Sequence, residues 1–380
     1  MKNLHKSAWA EIRTANLKNN LSVIRSQLPA QTAVCAVLKA DAYGHGMTKL
    51  RNYLAENRLV ELVAVGKMSE LVTLTAASDP DDPRTLLLGP TENDELESCL
   101  NRGRVKPDRT IFSVYNLRQF DELESLAEKL SLRFSVHIRT DGWNSGMGLS
   151  YEEFLQNEDR LFSARCLDVC GLYSHLYTSY SGDLEGISRE LERFDAFQRR
   201  IRPEHRKKLT VHILNSALIF LFPQYAYDMV RTGTAMYGLP SYDGDRLRPI
   251  LRVCAHVFDV REVSDDAPLS YESSVVEKSR EGSRKIARIM LGYWDSPILL
   301  SQKEVRILIR GRLFLPADDI CMDNLAIDVT GADDIAVGDE AVLLGDKGVS
   351  LTETLERNGI SIARSEGLCM TAGRLEKVLV

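Results

Sequence analysis

Over the first 240 residues, short runs rich in β-branched residues alternate with longer stretches of helical periodicity, and this alternation leaves few folds open. The runs fall at 32–40, 62–67, 85–89, 110–114, 133–139, 169–175, 209–215 and 227–233. Each is short and nearly continuous in apolar residues, the pattern of a strand covered on both faces. Between them lie amphipathic segments such as 116–130, where Leu117, Phe120, Leu123, Leu126 and Leu130 recur at helical spacing. A further helix is predicted around 15–28, ahead of the first run. Eight strand–helix units in about 230 residues predict a (β/α)8 TIM-type barrel, with an open doubly wound sheet as the competing architecture.

Beyond residue 240 the texture changes. Strands are predicted at 250–263, 284–292, 305–312, 324–330 and 340–344, with turn signals at Asp243-Gly244 and Gly331-Ala332 and a helix at 351–358. The expectation is therefore a barrel over 1–240 followed by a mostly β domain over 241–380. With 48 Lys+Arg against 54 Asp+Glu, the net charge of −6 argues against a nucleic-acid binder or a polybasic membrane anchor. No apolar run is long enough to span a bilayer, and residues 1–12 carry no export signal. The seven cysteines are scattered and odd in number. They form no metal-ligand set, so no metal is expected, and reduced thiols in the cytoplasm are.

The first run ends in VLKADAYGHG, which places Lys39 at a strand C-terminus. In a barrel that end faces the active-site mouth. A lysine buried there favours its neutral amine, able to form a Schiff base or abstract a proton. On spacing alone a snorkelling lysine at a strand end accounts for the same residue.

The segment resembles the pyridoxal-phosphate-binding stretch of the alanine racemase family. The resemblance continues in order through Trp9-Ala10-Glu11-Ile12, His212 with Asn215-Ser216, Arg231-Thr232-Gly233 and Tyr237-Gly238. It then runs through Ser270-Tyr271, Gly292-Tyr293-Trp294-Asp295 and Cys321-Met322-Asp323, nearly the whole chain. It implies a pyridoxal-phosphate-dependent amino-acid racemase, a homodimer with shared active sites, acting on a small amino acid, with alanine the family default and a D-amino acid as product. Lys39 would hold the cofactor and serve as one proton-transfer base. Tyr271, from the second subunit, would serve as the other, since inversion needs proton transfer on both faces. By the same resemblance His175 and Arg231 tune these groups, and Arg231 faces the pyridine nitrogen. Tyr43, Ser216, Gly233 and Thr234 hold the phosphate, while Met322 and Tyr293 reach the substrate from the partner.

Several positions depart from the family pattern. At the fifth barrel strand, where the family carries a lysine and an arginine seven residues later, this chain has Arg139 and Gly146. Arg139 is expected to supply the missing charge. Ser365 stands where a tyrosine is usual, Asp319 and Leu299 where arginines are usual, and Tyr180 where an acid is usual. An inner shell retained with a rebuilt entrance keeps a second reading open: a racemase of serine or a basic amino acid, or one of broad specificity. A barrel-type amino-acid decarboxylase and a non-catalytic cofactor-binding protein stay open behind it.

Overall fold

The computed structural model of the protein describes residues 7–75, 79, 81–141, 146–239, 246–265, 267–270, 282–361 and 364–380. The chain begins with strand β1 (Ala8–Ile12). Then follow β2 (Ala33–Val37), β3 (Leu62–Val65), β4 (Arg84–Leu87), β5 (Thr110–Val114), β6 (Phe134–Arg139), β7 (Leu167–Tyr173), β8 (Thr210–His212) and β9 (Met229–Thr232). Strands β2 to β9 form one parallel sheet in the order β8-β7-β6-β5-β4-β3-β2-β9. Its two ends meet: the Asp228 N–H donates to Val211 O at 3.1 Å and the Arg231 N–H to Leu214 O at 3.0 Å. The sheet thereby closes into a barrel, which excludes the open doubly wound sheet. Each strand overlaps one of the eight runs of the sequence.

The helices between strands follow from their sequence. Helix Leu117–Leu130 starts where Asn116 Oδ1 accepts the Gln119 N–H at 2.8 Å, satisfying one unpaired helix-start donor. It buries Phe120, Leu123, Leu126 and Ala127 against the barrel and ends at Ser131 in a left-handed conformation, φ 54°.

The second sheet contains β10 (Leu251–Ser264), β11 (Ser283–Ile289), β12 (Ile307–Ile309), β13 (Arg312–Phe314), β14 (Leu325–Asp328), β15 (Glu340–Leu344) and β16 (Glu376–Leu379). It also contains β1, an element that periodicity does not reveal. β1 lies between β10 (antiparallel, Ala8 opposite Ala255) and β16 (parallel, Ile12 opposite Leu379). Trp9 is buried there against Cys254, Val342 and Val349. Arg252 ties the same region together, pairing with Glu11 at 3.1 Å, with Asp346 at 2.9 Å and with Glu340. β10 runs on beyond these pairings and pairs with β11 from Val257 to Ser264, with a bulge between Val257 and Asp259.

The C-terminal segment also packs onto the barrel mouth. Gly44 has φ 81°, and a Cβ there would lie 2.3 Å from Cys369 O, so glycine is required by both conformation and space. Thr371 Oγ1 donates to Gly44 O at 2.6 Å. Among the described residues no helix is long and apolar enough to cross a membrane.

Candidate active site

Lys39 follows β2 at the C-terminal end of the barrel, beside an unusual turn. Ala40, Asp41, Ala42 and Tyr43 have φ between 52° and 55°, a left-handed helical turn made without glycine. Such a turn costs about 1–2 kcal/mol per residue and persists only when surrounding contacts over-determine it. Those contacts are present. The Ala42 N–H donates to Leu38 O at 2.8 Å and the Gly46 N–H to Asp41 O at 2.9 Å. The Met47 N–H donates to Asp41 Oδ1 at 2.8 Å. Glu70 accepts the Ala40 N–H at 2.6 Å.

Lys39, Tyr43, Arg139, His175, Ser216, Arg231, Gly233, Thr234 and Ser365 line one cavity of about 430 Å³. Lys39 itself is exposed in the single chain, with Nζ 5.8 Å from the Tyr43 ring centre. The burial anticipated from the sequence is therefore not seen: Lys39 is exposed although the C-terminal segment reaches the cavity through Ser365 and Glu366.

Arg231 is buried on the cavity floor with neutral partners. Its Nη1 donates to His212 Nδ1 at 2.7 Å and its Nη2 to Ser174 O at 2.8 Å. Guanidinium has no acceptor, so His212 Nδ1 carries no proton and Nε2 does. Nε2–H in turn donates to His137 Nδ1 at 3.0 Å. Tyr173 stacks on His212 with ring centres 4.9 Å apart. Burial lowers the Arg231 pKa to about 10, still charged at neutral pH. Burial and the arginine charges push His137 and His175 down to about 3 and His212 well below its usual range, so all three are neutral.

Arg139 ends β6 and is also buried. Its Nε donates to Met147 O at 3.1 Å, and its Nη atoms donate to the hydroxyls of Tyr115 at 3.4 Å and Tyr177 at 3.0 Å. The rings of Tyr115, Tyr173 and Tyr177 lie 5.1–6.0 Å from its Cζ, a cation–π cage that contains no carboxylate.

At the other end of the cavity sits a cup of hydroxyls. Ser216 Oγ accepts the Gly233 N–H at 2.9 Å, and the Tyr180 and Thr234 hydroxyls are 2.9 Å apart. A Cβ at Gly233 would come within 3.1 Å of the Tyr43 hydroxyl, so the glycine leaves the cup open. Burial, helped by Glu366 and Tyr180, raises the Tyr43 pKa and keeps the phenol an O–H donor. Glu366 is the one acid lining the cavity among the described residues. Burial raises its pKa while Lys39 opposes the shift.

The partner-side candidates do not join this group. Tyr293 and Asp319 line a separate depression with Ser270 and Cys321, and Met322 is exposed. Tyr271 lies outside the described residues. Leu299, where an arginine is usual, is buried. Periodicity and motifs do not single out Glu70, Tyr115 or Tyr177. Tyr115 follows directly on β5, and the strand-end rule that singled out Lys39 would also have flagged it.

The residues present fit pyridoxal phosphate. An amine sits at the strand end, a donor-only arginine on the floor, and a cup of neutral hydroxyls with a backbone cradle opens where a Cβ would obstruct it. The three cations suit the charge of a phosphate and a carboxylate. Barrel, second β domain and this cavity define a pyridoxal-phosphate-dependent enzyme of the barrel class. The family models for the N-terminal and C-terminal domains of alanine racemase match residues 12–241 and 250–379. The chain belongs to the alanine racemase family. It is 30% identical over 383 residues to an alanine racemase of Clostridium perfringens, covering 98% of this chain and 95% of that protein. The structure of an alanine racemase from Clostridium difficile 630 superposes with a TM-score of 0.85 at 27% identity, covering 98% and 95% of the two chains. The complex of that protein with cycloserine gives a TM-score of 0.83, at the same identity and coverage.

Proposed function

We propose that this protein interconverts L- and D-alanine by a two-base mechanism, with Lys39 on one face of Cα and Tyr271 from a second copy on the other. The observation that carries this is the Lys39–Arg231 cavity in a chain that matches both alanine racemase domains. Pyridoxal phosphate, when bound, supplies an electron sink for the carbanion at Cα. Lys39 would hold the cofactor through Nζ in the resting enzyme and, with its amine set free when the substrate amine takes its place, would take or return the Cα proton. Arg231, fixed by His212 and the Ser174 carbonyl, donates a hydrogen bond to the ring nitrogen without giving up its proton, which restrains side reactions. Tyr43, Ser216, Thr234 and the Gly233 backbone hold the phosphate. Arg139 would provide positive charge toward the cofactor. His175, neutral and edge-on to the Tyr177 ring with centres 4.9 Å apart, would pack beside it.

The site is shared in this reading. Tyr293, Trp294 and Met322 are 39%, 56% and 46% exposed in the single chain, and such an apolar cluster suits an interface. A head-to-tail dimer brings them, with Asp319, to the neighbour's cavity. The division into 1–240 and 241–380 stands as part of the same proposal, with β1 lent by the first unit to the sheet of the second. Seven free cysteines support a reducing, cytoplasmic setting. Incubating the purified enzyme with L-alanine and separating products on a chiral column tests the activity. Accumulation of D-alanine to equal amounts is expected, and its absence overturns the reading. Buried Ser365 favours a second reading, acceptance of serine or a longer polar side chain, which the same assay resolves with a panel of amino acids.

A further inference from the structure

The far end of the turn that carries Lys39 is held by Thr371, and its first peptide is held by the side chain of Glu70. Glu70 lies in the first turn of helix Met68–Thr75. Its Oε1 accepts the Ala40 N–H at 2.6 Å, and its Oε2 accepts the Gly66 N–H at 2.8 Å and the Lys67 N–H at 3.1 Å. The Ala40 N–H belongs to the peptide plane that begins at the Lys39 carbonyl. Anchoring it fixes ψ of Lys39 and the first left-handed residue, Ala40, at φ 53°. The loop held by Oε2 is the one that abuts the lysine, since a Cβ on Gly66 would lie 3.4 Å from Lys39 Cβ. One carboxylate thus spans the end of β2 and the end of β3, and all three of these donors are main-chain groups. A carboxylate is suited to this: it accepts at two oxygens at once, and its charge strengthens each bond.

We infer that Glu70 is a positioning residue, whose carboxylate holds the left-handed turn after β2 and so sets the direction from which the Lys39 amine enters the cavity. The inference rests on the reading of Lys39 as the residue that captures the cofactor. Without Glu70, Ala40 loses the contact that offsets its steric penalty and the turn relaxes toward right-handed conformations. Glycine at position 40 would occupy the same φ without that penalty, so Ala40→Gly should compensate for loss of the carboxylate.

The test uses the full chain, before and after adding pyridoxal phosphate, in five forms: wild type, Glu70→Gln, Glu70→Ala, Glu70→Ala/Ala40→Gly and, as the control on the lysine, Lys39→Ala. Hydrogen exchange over 38–44 is measured in the cofactor-free protein, cofactor capture by the rise of its visible band, and stability by thermal melting. Glu70→Ala should speed exchange of the Ala40 amide about ten- to hundredfold, the loss expected for a bond to a charged acceptor, and slow capture. The double variant should recover most of the capture rate while exchange of the amide at position 40 stays at least as fast as in Glu70→Ala, a split that a merely structural cap does not give. Glu70→Gln keeps one acceptor oxygen and should fall between; it carries the comparison if Glu70→Ala does not fold. Unchanged exchange at Ala40 in both single variants, or equal loss of capture in the single and double variants, overturns the inference. Full capture by Lys39→Ala would instead overturn the reading of Lys39 and leave the exchange result standing.

Discussion

The barrel cavity and the loops beside the second sheet solve opposite problems. In the cavity, Arg231, His212 and His137 form a hydrogen-bonded series in which each tautomer is dictated by its neighbour. In the loops after β11 and before β14, the side chains of Tyr293, Trp294 and Met322 stand in solvent. One half is preorganised within a single chain; the other has side chains of the right kind and nothing yet to act on. Burial and saturation mark what the chain completes alone, and exposed apolar groups mark what the proposed dimer would cover.

That contrast is most vulnerable at its cavity end. Lys39→Ala should remove the visible cofactor band and lower turnover by about 10³-fold or more, given the scale of proton-transfer catalysis. Borohydride followed by peptide mass spectrometry should place the cofactor on Lys39, and label on another lysine rejects the assignment. Mixing Lys39→Ala with Tyr271→Phe chains tests the other end. Random pairing of two inactive chains yields roughly a quarter of wild-type activity when sites are shared across a two-fold dimer. Persistent inactivity after re-association would mean that each chain builds its own site.

Arg231→Lys keeps a charge but loses the fork that meets His212 and Ser174 together. It should lower turnover by about 10- to 100-fold, the scale of a lost charge-assisted hydrogen bond. The buried histidines predict a pH dependence of stability. His45 is lowered to about 4 and His137 to about 3, against an unfolded value near 6.5. Their stabilisation is complete above about pH 6.5 and is lost as pH falls toward 3–4, because the unfolded chain takes up protons that the folded one refuses. Urea midpoints between pH 7 and 4 should fall, by up to about 1.4 kcal/mol per pH unit for each such histidine. His45→Asn should flatten that slope. The smallest effect is expected from Ser365→Tyr, which should shift kcat/KM toward alanine and away from serine by about tenfold, the range set by added bulk in a pocket. An unmodified enzyme strict for alanine, with ratios unmoved by the substitution, would remove Ser365 from the specificity argument.

Most of the barrel was legible because each buried strand and each amphipathic helix carries its own local signature. β1 was not, because AWAEI is five residues long and its partners lie more than 230 residues away, at 251–255 and 376–379. No local pattern encodes such a pairing. In the cavity, Lys39, Arg231 and the residues of the hydroxyl cup were singled out through motif resemblance, and the structure brings them to one cavity; the strand-end rule independently pointed to Lys39. Glu70 escaped notice because its work is done on main-chain N–H groups, and an acidic residue in the first turn of a helix reads as an ordinary cap. The tyrosine cage around Arg139 was missed for another reason: Tyr115 and Tyr173 sit at the ends of the strands on either side of β6, Tyr177 sits in the turn after β7, and only the lateral pairing of β5, β6 and β7 brings them to Arg139.

The position of β1 between β10 and β16 has a consequence for assembly of the chain. The strand is made before both neighbours, which follow the whole barrel, and β16 comes more than 360 residues after it. During translation β1 therefore waits with open edges while the barrel forms behind it, and the sheet that buries Trp9 closes only once β16 has emerged. Pairings of such sequence separation slow folding. The second sheet should thus be the late, rate-limiting step in refolding, and the part of the molecule most exposed to misassociation before that sheet closes.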